Sequence, residues 1–212
     1  MMQRREFAAA LCAAVFCGSS AFAWAAPDPK GDPEKWILDL SNEMLATIRA
    51  DAALRSGDAA AVQAFVSRKV MPCVDFVRMT RMAVGPSWRS ANPEQRAELQ
   101  RLFRELLIRV YSGALSMVSN QSVELAPSRV KPEGDDVVVR TLMKQPGKPE
   151  MHLDYRVKFV KGEWRIINVN AEGVWIVENY RSQFAPIAAS KGNEGLIEAL
   201  REKIATYNKN KK

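Results

Sequence analysis

The stretch MHLDYRVKF, residues 151–159, alternates apolar and polar side chains and decides the fold class. The odd positions from Met151 to Phe159 are apolar, whereas the even positions carry polar or charged side chains. These polar residues are His152, Asp154, Arg156 and Lys158. Because successive side chains of a strand point to opposite faces, the pattern predicts a β-strand with one buried face and one solvated face.

Three further segments near this one are predicted to be strands. They run from Val123 to Val130, from Val137 to Met143 and from Trp164 to Ala171. The connections between the four segments are short and contain glycine, which is typical of β-hairpins. The sequence therefore predicts an antiparallel sheet in which each strand lies next to the one before it.

Helical spacing dominates the chain before residue 120. Asp32-Pro33 is a helix-start signal, and the first helix is expected to run from Pro33 to the low fifties. A second helix is expected after Gly57 and cannot continue normally past Pro72. A short third helix is expected before Gly85, with the preceding Asp75 as its cap.

The residues from Asn92 to Val118 predict a long amphipathic helix. Asn92 is a good N-cap, Pro93 suits the first helical position, and Gln95 can reach back to complete a capping box. The apolar residues that follow recur every three or four positions and form one broad face. They are Leu99, Leu102, Phe103, Leu106, Leu107, Val110, Tyr111, Ala114, Leu115 and Val118.

The stretch NVNAEGVWIVENYRSQF, residues 168–184, changes from strand to helical periodicity at Glu172-Gly173. The helix that follows is expected to kink or end at Pro186, and a last helix begins near Leu196. The sum is an α+β fold with several N-terminal helices, a four-stranded curved antiparallel sheet and two C-terminal helices. A curved sheet with a long helix across it can enclose an apolar cavity between sheet and helices.

The first residues are predicted to be a signal peptide that is cleaved after Ala25 or Ala26 and directs the protein out of the cytoplasm. The apolar run is too short for a membrane anchor, which needs about 20 apolar residues. The pair Arg4-Arg5 fits a twin-arginine signal and an ordinary Sec signal alike, so the export route stays open. The expected organisation is a signal peptide at 1–26, a linker at 27–32, a single domain at 33–208 and a basic tail at 209–212.

The charge and the cysteines narrow the class of partner. A formal net charge of +7 suits anionic partners such as nucleic acid or phospholipid head groups. Export disfavours nucleic acid, and the only lysine cluster is the short C-terminal tail. Two of the three cysteines would leave with the signal peptide, so Cys73 has no partner for an internal disulfide. Cys73 is expected to be a packed small side chain rather than a reactive thiol.

No catalytic or metal-binding constellation stands out in the sequence. The predicted domain has one histidine, His152, no Cys/His ligand spacing, and no phosphate loop, HExxH or GxSxG motif. We therefore expect neither catalytic residues nor metal ligands. Two alternatives to a protein that binds a ligand in an apolar cavity stay open. One is a small periplasmic enzyme that uses His152 or Asp154 inside a cone-shaped fold, and the other is a non-binding assembly module with a filled core.

Several short strings between Trp36 and Ile204 occur together in one known family. The most specific are AEGV at 171–174 and NYRSQF at 179–184, with VMP at 70–72, DF at 75–76, PEQR at 93–96 and LIRVY at 107–111 in the same order. By these strings the chain resembles the MlaC family, the periplasmic phospholipid-binding proteins of the intermembrane lipid transport system. The same family is known as the toluene-tolerance auxiliary proteins.

The resemblance implies helices packed on a curved antiparallel sheet in an NTF2-like or cystatin-like cone, with an apolar cavity that takes acyl chains. The head group would stay near the mouth of the cavity. It also implies a monomer without a cofactor, whose cargo is phospholipid. The implied partners are an inner-membrane ABC transporter complex and an outer-membrane lipoprotein–porin complex, which the protein contacts transiently while it shuttles lipid between them.

Candidate lipid-binding residues come from the long helix, the strands and the helix after the Glu172-Gly173 turn. They are Phe103, Leu106, Val110, Tyr111, Leu153, Tyr155, Val157, Val169, Val174, Val177 and Phe184. Arg181 interrupts an apolar helix and is a candidate head-group or partner contact. Two positions depart from the family pattern: Asn168 stands where aspartate is common, and Trp175 stands where a smaller residue is common. We expect Trp175 to narrow the pocket entrance or to cover a different lipid.

Overall fold

The structure is a computed structural model that describes residues 27–127 and 133–209. The expected signal peptide at 1–26 and residues 210–212 of the expected basic tail lie outside the described residues. Residues 128–130, the end of the first predicted strand, lie outside them as well. No helix within the described ranges is long and apolar enough to cross a membrane.

Three capped helices open the domain. Helix α1 is Pro33–Ala50, and the Asp32 side chain caps it by accepting from the amide of Lys35. Helices α2 (Ala52–Ser56) and α3 (Ala59–Phe65) follow, each with an aspartate as its N-cap. The sequence predicts α1 and α3 but not the separate α2, whose cap residue ends α1 at the same point.

The chain between α3 and the sheet is irregular before it becomes a long helix. A π-helical turn (Val66–Val70) and a 3-10 turn (Met71–Cys73) lead to α4 (Phe76–Val84), which Asp75 caps as predicted. A further 3-10 turn, Gly85–Arg89, precedes the long helix.

Helix α5 is Pro93–Tyr111 and begins with the predicted capping box between Asn92 and Gln95. It ends earlier than predicted, because a 3-10 turn replaces α-helix from Ser112 to Met117. Serine and glycine at 112–113 favour this ending, since both are weaker helix formers than the leucines before them. Leu115, within the turn, and Val118, just after it, pack on the cluster around α2 and α3.

The sheet is an antiparallel meander of strands in chain order, as predicted, but it has five strands rather than four. The strands are β1 (Ser122–Leu125), β2 (Asp136–Lys144), β3 (Met151–Val160), β4 (Glu163–Ala171) and β5 (Val174–Trp175). Glu172 and Gly173 form a two-residue hairpin turn with φ of 51° and 85°. Both angles are positive, as a type I′ turn requires. The predicted strand-to-helix junction therefore contains a tight hairpin and the short strand β5, and the helix begins only after them.

A β-bulge bends the sheet between β3 and β4. Arg156 pairs with Asn168, but its neighbour Val157 pairs with Ile166, so Ile167 is the extra residue. The bulge lets Ile166 and Val169 both point to the face that carries Tyr155, which is the concave side of the molecule.

Helix α6 spans Ile176–Lys209 and is broken at Gly192, where φ is 64°. It therefore consists of two helices, as predicted, but the break does not lie at Pro186. Pro186 is exposed, so water can reach the carbonyl group that proline leaves without an amide partner. At the break, the side-chain amide of Asn193 donates a hydrogen bond to the backbone carbonyl of Ser87 and connects the second helix to the turn before α5.

Three packed clusters surround the concave side of the sheet. Helices α4, α5 and α6 share one, in which Phe103 contacts Tyr180 and Phe184 with ring centroids 5.1 and 5.5 Å apart. Trp36 and Ile37 of α1 pack on the sheet in the second. The end of α1, α2 and α3 form the third.

Candidate lipid-binding cavity

An apolar cavity of about 420 Å³ lies between the sheet and the helices. Helices α1, α3, α4 and α5 and the irregular segment at 66–74 form most of its wall, and four strands and the start of α6 complete it. The apolar wall residues are Leu40, Met44, Leu45, Val62, Phe65, Val66, Val70, Met71, Cys73, Val74, Phe76, Met79, Leu107, Ile108, Tyr111, Leu115, Val123, Met143, Tyr155, Ile166, Val169 and Ile176. Three polar residues join them: Ser41, Arg104 and Ser112.

The size of the cavity indicates a ligand. Packed protein cores leave few voids larger than a water molecule, whereas this space measures about 420 Å³ and is lined almost wholly by apolar side chains. Its volume lies within the usual range for small-molecule pockets. The filled-core alternative predicts no cavity and is wrong.

The phenol of Tyr155 has a hydrogen-bond partner in the cavity wall. Its oxygen accepts a hydrogen bond from the Ser41 hydroxyl at 3.3 Å. Burial raises the pKa of Tyr155, and the Ser41 contact offsets only part of that effect. A neutral phenol satisfied by one neighbouring hydroxyl leaves an essentially apolar surface, as acyl chains require.

Three of the residues proposed from the sequence line the cavity: Tyr111, Tyr155 and Val169. The remaining eight lie outside its wall. Phe103, Leu106, Val177 and Phe184 are buried in the cluster shared by α4, α5 and α6, and Val110 packs against that cluster. Val157 is fully buried between the sheet and α1. Leu153 is partly buried, and Val174 is 54% exposed at the sheet edge.

Two stripes of α5 explain this division. Phe103, Leu106 and Val110 form one stripe, which faces α4 and α6. Arg104, Leu107, Ile108 and Tyr111 form another stripe at the same helical spacing, and it faces the cavity. The apolar periodicity of the sequence marks both stripes without telling which one meets a void.

The sequence missed the wall formed by the segment at 62–74. Val62, Phe65 and Val66 read as an ordinary helix face, but the helix changes to a π-turn at Val66 and turns its next residues inward. The signal for this change is Pro72, which disfavours a regular helix before it. π-turns are often found at functional sites.

Cys73 lies in the cavity wall, with its thiol donating to the carbonyl of Lys69 at 3.4 Å. Burial raises the pKa of the thiol, Arg165 and Lys69 lower it by their charges, and Glu43 raises it further. A raised pKa leaves little thiolate near neutral pH, so the site lacks the activation that reactive cysteines need.

The residues of the enzyme alternative point away from the cavity. His152 is exposed, and Asp154 lies on the face of β3 opposite Tyr155. One carboxylate oxygen of Asp154 is buried without a hydrogen-bond partner among the described residues. Within those residues no cluster of three or more His, Cys, Asp or Glu side chains has the arrangement of a metal site.

Arg181 and Trp175 also lie outside the cavity wall. Arg181 is exposed on α6, and its guanidinium group lies beside Gly85. Trp175 pairs with Asn170 in the edge strand and is partly buried. It therefore does not narrow the pocket in this structure, whereas its neighbour Ile176 does belong to the wall.

A second, polar groove of about 270 Å³ adjoins the cavity. The two spaces share four lining residues: Val62, Arg104, Ile108 and Ser112. Three arginines and one glutamate of α5 contribute to the groove: Arg101, Arg104, Arg109 and Glu105. The apolar cavity and the more basic groove therefore meet at the cavity-facing stripe of α5.

Comparisons with known proteins agree with this architecture. Residues 38–202 match the profile of the family described as MlaC protein. Toluene tolerance protein ttg2D of Pseudomonas putida is 24% identical over 163 residues, 76% of this chain and 75% of that protein. The intermembrane phospholipid transport system binding protein MlaC of Haemophilus influenzae is 20% identical over 173 residues, 80% and 81% of the two chains.

A solved structure gives the same fold with a ligand. The phospholipid-binding protein of Ralstonia solanacearum, determined in complex with a phospholipid, is 37% identical and superposes with a TM-score of 0.79. The match covers 84% of this chain and 99% of that one. The family profile and the shared fold together give the chain its place: it belongs to the MlaC family.

Proposed function

We propose that this protein is a periplasmic phospholipid carrier that buries the acyl chains of its cargo in the apolar cavity. The observation that carries the proposal is the apolar cavity of about 420 Å³ in a member of the MlaC family. The phospholipid in the related Ralstonia solanacearum structure supports the same ligand class.

The physical requirement for such a carrier is burial rather than chemistry. A diacyl lipid has on the order of 30 methylenes, and exposing them to water costs more than about 20 kcal/mol. A protein that crosses an aqueous compartment with this cargo must cover the chains but needs no catalytic group. We therefore propose that the lipid leaves the protein chemically unchanged and that no cofactor takes part.

The proposed route runs between two membrane complexes. The name of the Haemophilus influenzae relative places that protein in an intermembrane phospholipid transport system. By that relationship we propose that this chain, as a monomer, exchanges lipid with an inner-membrane ABC transporter complex and an outer-membrane lipoprotein–porin complex. The signal peptide predicted at 1–26 would deliver it to the periplasm.

A vesicle assay tests the proposal. Lipid-free protein without residues 1–26 is incubated with phosphatidylglycerol vesicles, separated from them and analysed for bound lipid. We expect intact phosphatidylglycerol to be recovered with the protein, and no lysophospholipid or free fatty acid to appear. Recovery of protein without lipid would contradict the carrier proposal, and lipid breakdown would contradict its non-catalytic part.

A further inference from the structure

One cation of α5 stands apart from the other charges along the cavity. Among the residues that the structure describes, Arg104 is the only charged one in the wall of the apolar cavity, and it is partly buried there. It also lines the polar groove, so its side chain lies at the boundary between the two spaces. A partly buried guanidinium at such a boundary is stabilised by an anionic partner or by water.

The neighbouring charges are already paired. Glu105 accepts from Arg101 at 3.1 Å and from Arg109 at 2.7 Å. Arg101 also donates to Glu98 at 2.7 Å. Arg104 forms no ion pair or side-chain hydrogen bond with any residue in the described ranges, so its five donors are available for a ligand.

The position of Arg104 matches the chemistry of a phospholipid. Apolar surface lies on one side of it and a basic groove on the other, as the acyl chains and the phosphorylated head group of one molecule require. A guanidinium can donate two parallel hydrogen bonds to phosphate oxygens, which lysine cannot do. The groove of about 270 Å³ beyond it is large enough for a small head group.

We propose that Arg104 binds the lipid phosphate and that the groove formed by Arg101, Arg109 and their neighbours holds the head group. This inference rests on the proposed carrier function. It assigns the polar end of the ligand to α5 and α3, whereas the sequence had pointed to Arg181 on α6.

The test compares lipids that differ only in the phosphate. Arg104→Gln, Arg104→Lys and unaltered protein are titrated with phosphatidylglycerol and with diacylglycerol of the same chains, and bound lipid is measured. Arg81→Gln is the matched control, because Arg81 is exposed on α4 and lines neither space. We expect Arg104→Gln to weaken phosphatidylglycerol binding about tenfold or more and diacylglycerol binding less than about twofold.

The remaining arms separate the alternatives. Arg104→Lys should lose less affinity than Arg104→Gln, because it keeps the charge without the paired donors. Glycerophosphoglycerol and inorganic phosphate, which lack acyl chains, should not compete at millimolar concentration; tight binding of either would indicate a free-phosphate site and overturn the assignment.

Two results would overturn the role of Arg104 and leave the carrier function intact. One is that Arg104→Gln weakens the binding of phosphatidylglycerol and of diacylglycerol equally, and the other is that it leaves phosphatidylglycerol binding unchanged. Uptake of neither lipid by the unaltered protein would instead overturn the carrier function, and this inference with it. Thermal unfolding of each variant, expected to match the unaltered protein within a few degrees, separates lost binding from lost fold.

Discussion

Asn168 holds the junction between the sheet and α6 together. It is 1% exposed, and its carbonyl oxygen accepts from the amides of Val169 and Val177 at 3.0 and 3.1 Å. Its amide nitrogen donates to Glu178 at 2.6 Å. The family pattern often has aspartate at this position. An aspartate would keep the two acceptor contacts but would have no proton to donate to Glu178.

We therefore expect Asn168→Asp to destabilise the protein by about 1–3 kcal/mol at pH 7, because a new carboxylate at this buried position would face the exposed carboxylate of Glu178 and lose a hydrogen bond. The cost should shrink as the pH falls toward 5, since one shared proton relieves the repulsion. Urea unfolding at both pH values measures it. The double variant Asn168→Asp with Glu178→Gln should recover stability at pH 7; a double variant as weak as the single one would refute the explanation.

Cys73 lies in the cavity wall, so the reactivity of its thiol depends on burial there. Because burial raises the pKa of its thiol, less thiolate is present at pH 8 than for an ordinary cysteine, and alkylation by iodoacetamide should be slower. The midpoint of the rate against pH should lie above the ordinary value for the same reason. Mass spectrometry of the protein without residues 1–26, in which Cys73 is the only cysteine, measures the rate.

Loading the same protein with phosphatidylglycerol should slow the reaction further, because acyl chains would cover the cavity wall. Guanidinium-unfolded protein is the control and should react at the ordinary rate. Equal rates in the lipid-free and lipid-loaded protein would show that the chains do not reach Cys73.

Local chemistry decided which single residues could be predicted. Asp32, Asp75 and the Asn92–Gln95 capping box act on amides three residues away, so the sequence displays both partners. The contact between Asn168 and Val177 spans the hairpin turn and depends on β5, which the periodicity did not show. Arg104 looks in sequence like any helix charge, because its place in the wall depends on tertiary packing.

The two long helices are tied by a small charge network. Glu98 of α5 accepts from Arg101 at 2.7 Å and from Arg201 of α6 at 2.9 Å. The hydrogen bond from Arg101, with help from Arg201, lowers the pKa of Glu98 to about 2. A carboxyl with a lowered pKa stabilises the fold above the pKa of its unfolded form, and this contribution is lost as the pH falls.

We expect Glu98→Gln to lower the free energy of unfolding by about 0.5–1 kcal/mol at pH 7, the range of partly exposed ion pairs. The difference should vanish between about pH 4, the pKa of an unfolded glutamate, and pH 2. Denaturant unfolding across this range measures it. Glu202→Gln, an exposed change on α6 without an ion pair in the described chain, is the control; a pH-independent difference for Glu98→Gln would contradict the network.

Periodicity predicted most elements but not the places where they are interrupted. Strand β3 alternates as its sequence requires, and its neighbours follow from short glycine-containing connections. Strand β5 has two residues, too few for any period to show. The early end of α5 and the break of α6 at Gly192 occur where the packing partners of the helix change. In the sequence, Pro186 is a stronger signal for a helix break than Gly192, but the helix continues through it.

The cavity belongs to the whole molecule, because it is bounded by five helices, four strands and an irregular segment. Apolar residue types are the same for a filled core and for a lined void, so the sequence predicts the supply of apolar surface but not the space. The bulge at Ile167 and the π-turn at Val66–Val70 determine where that space lies.

Filling the cavity should remove its ligand without damaging the fold. Val169 lines the wall, so Val169→Trp should keep or raise the melting temperature and remove most of the bound phospholipid. Val138→Trp is the matched control, since Val138 is partly buried on the opposite face of the sheet, across from Arg156. Full lipid occupancy in Val169→Trp would mean that acyl chains bind elsewhere.

Native mass spectrometry of the protein purified from the cells that make it tests the carrier account most directly. The account predicts a mass above that of the mature chain, and collisional release of an intact phospholipid under gentle conditions. A spectrum that shows only the mass of the bare chain, together with no uptake of lipid from phosphatidylglycerol vesicles, would contradict it.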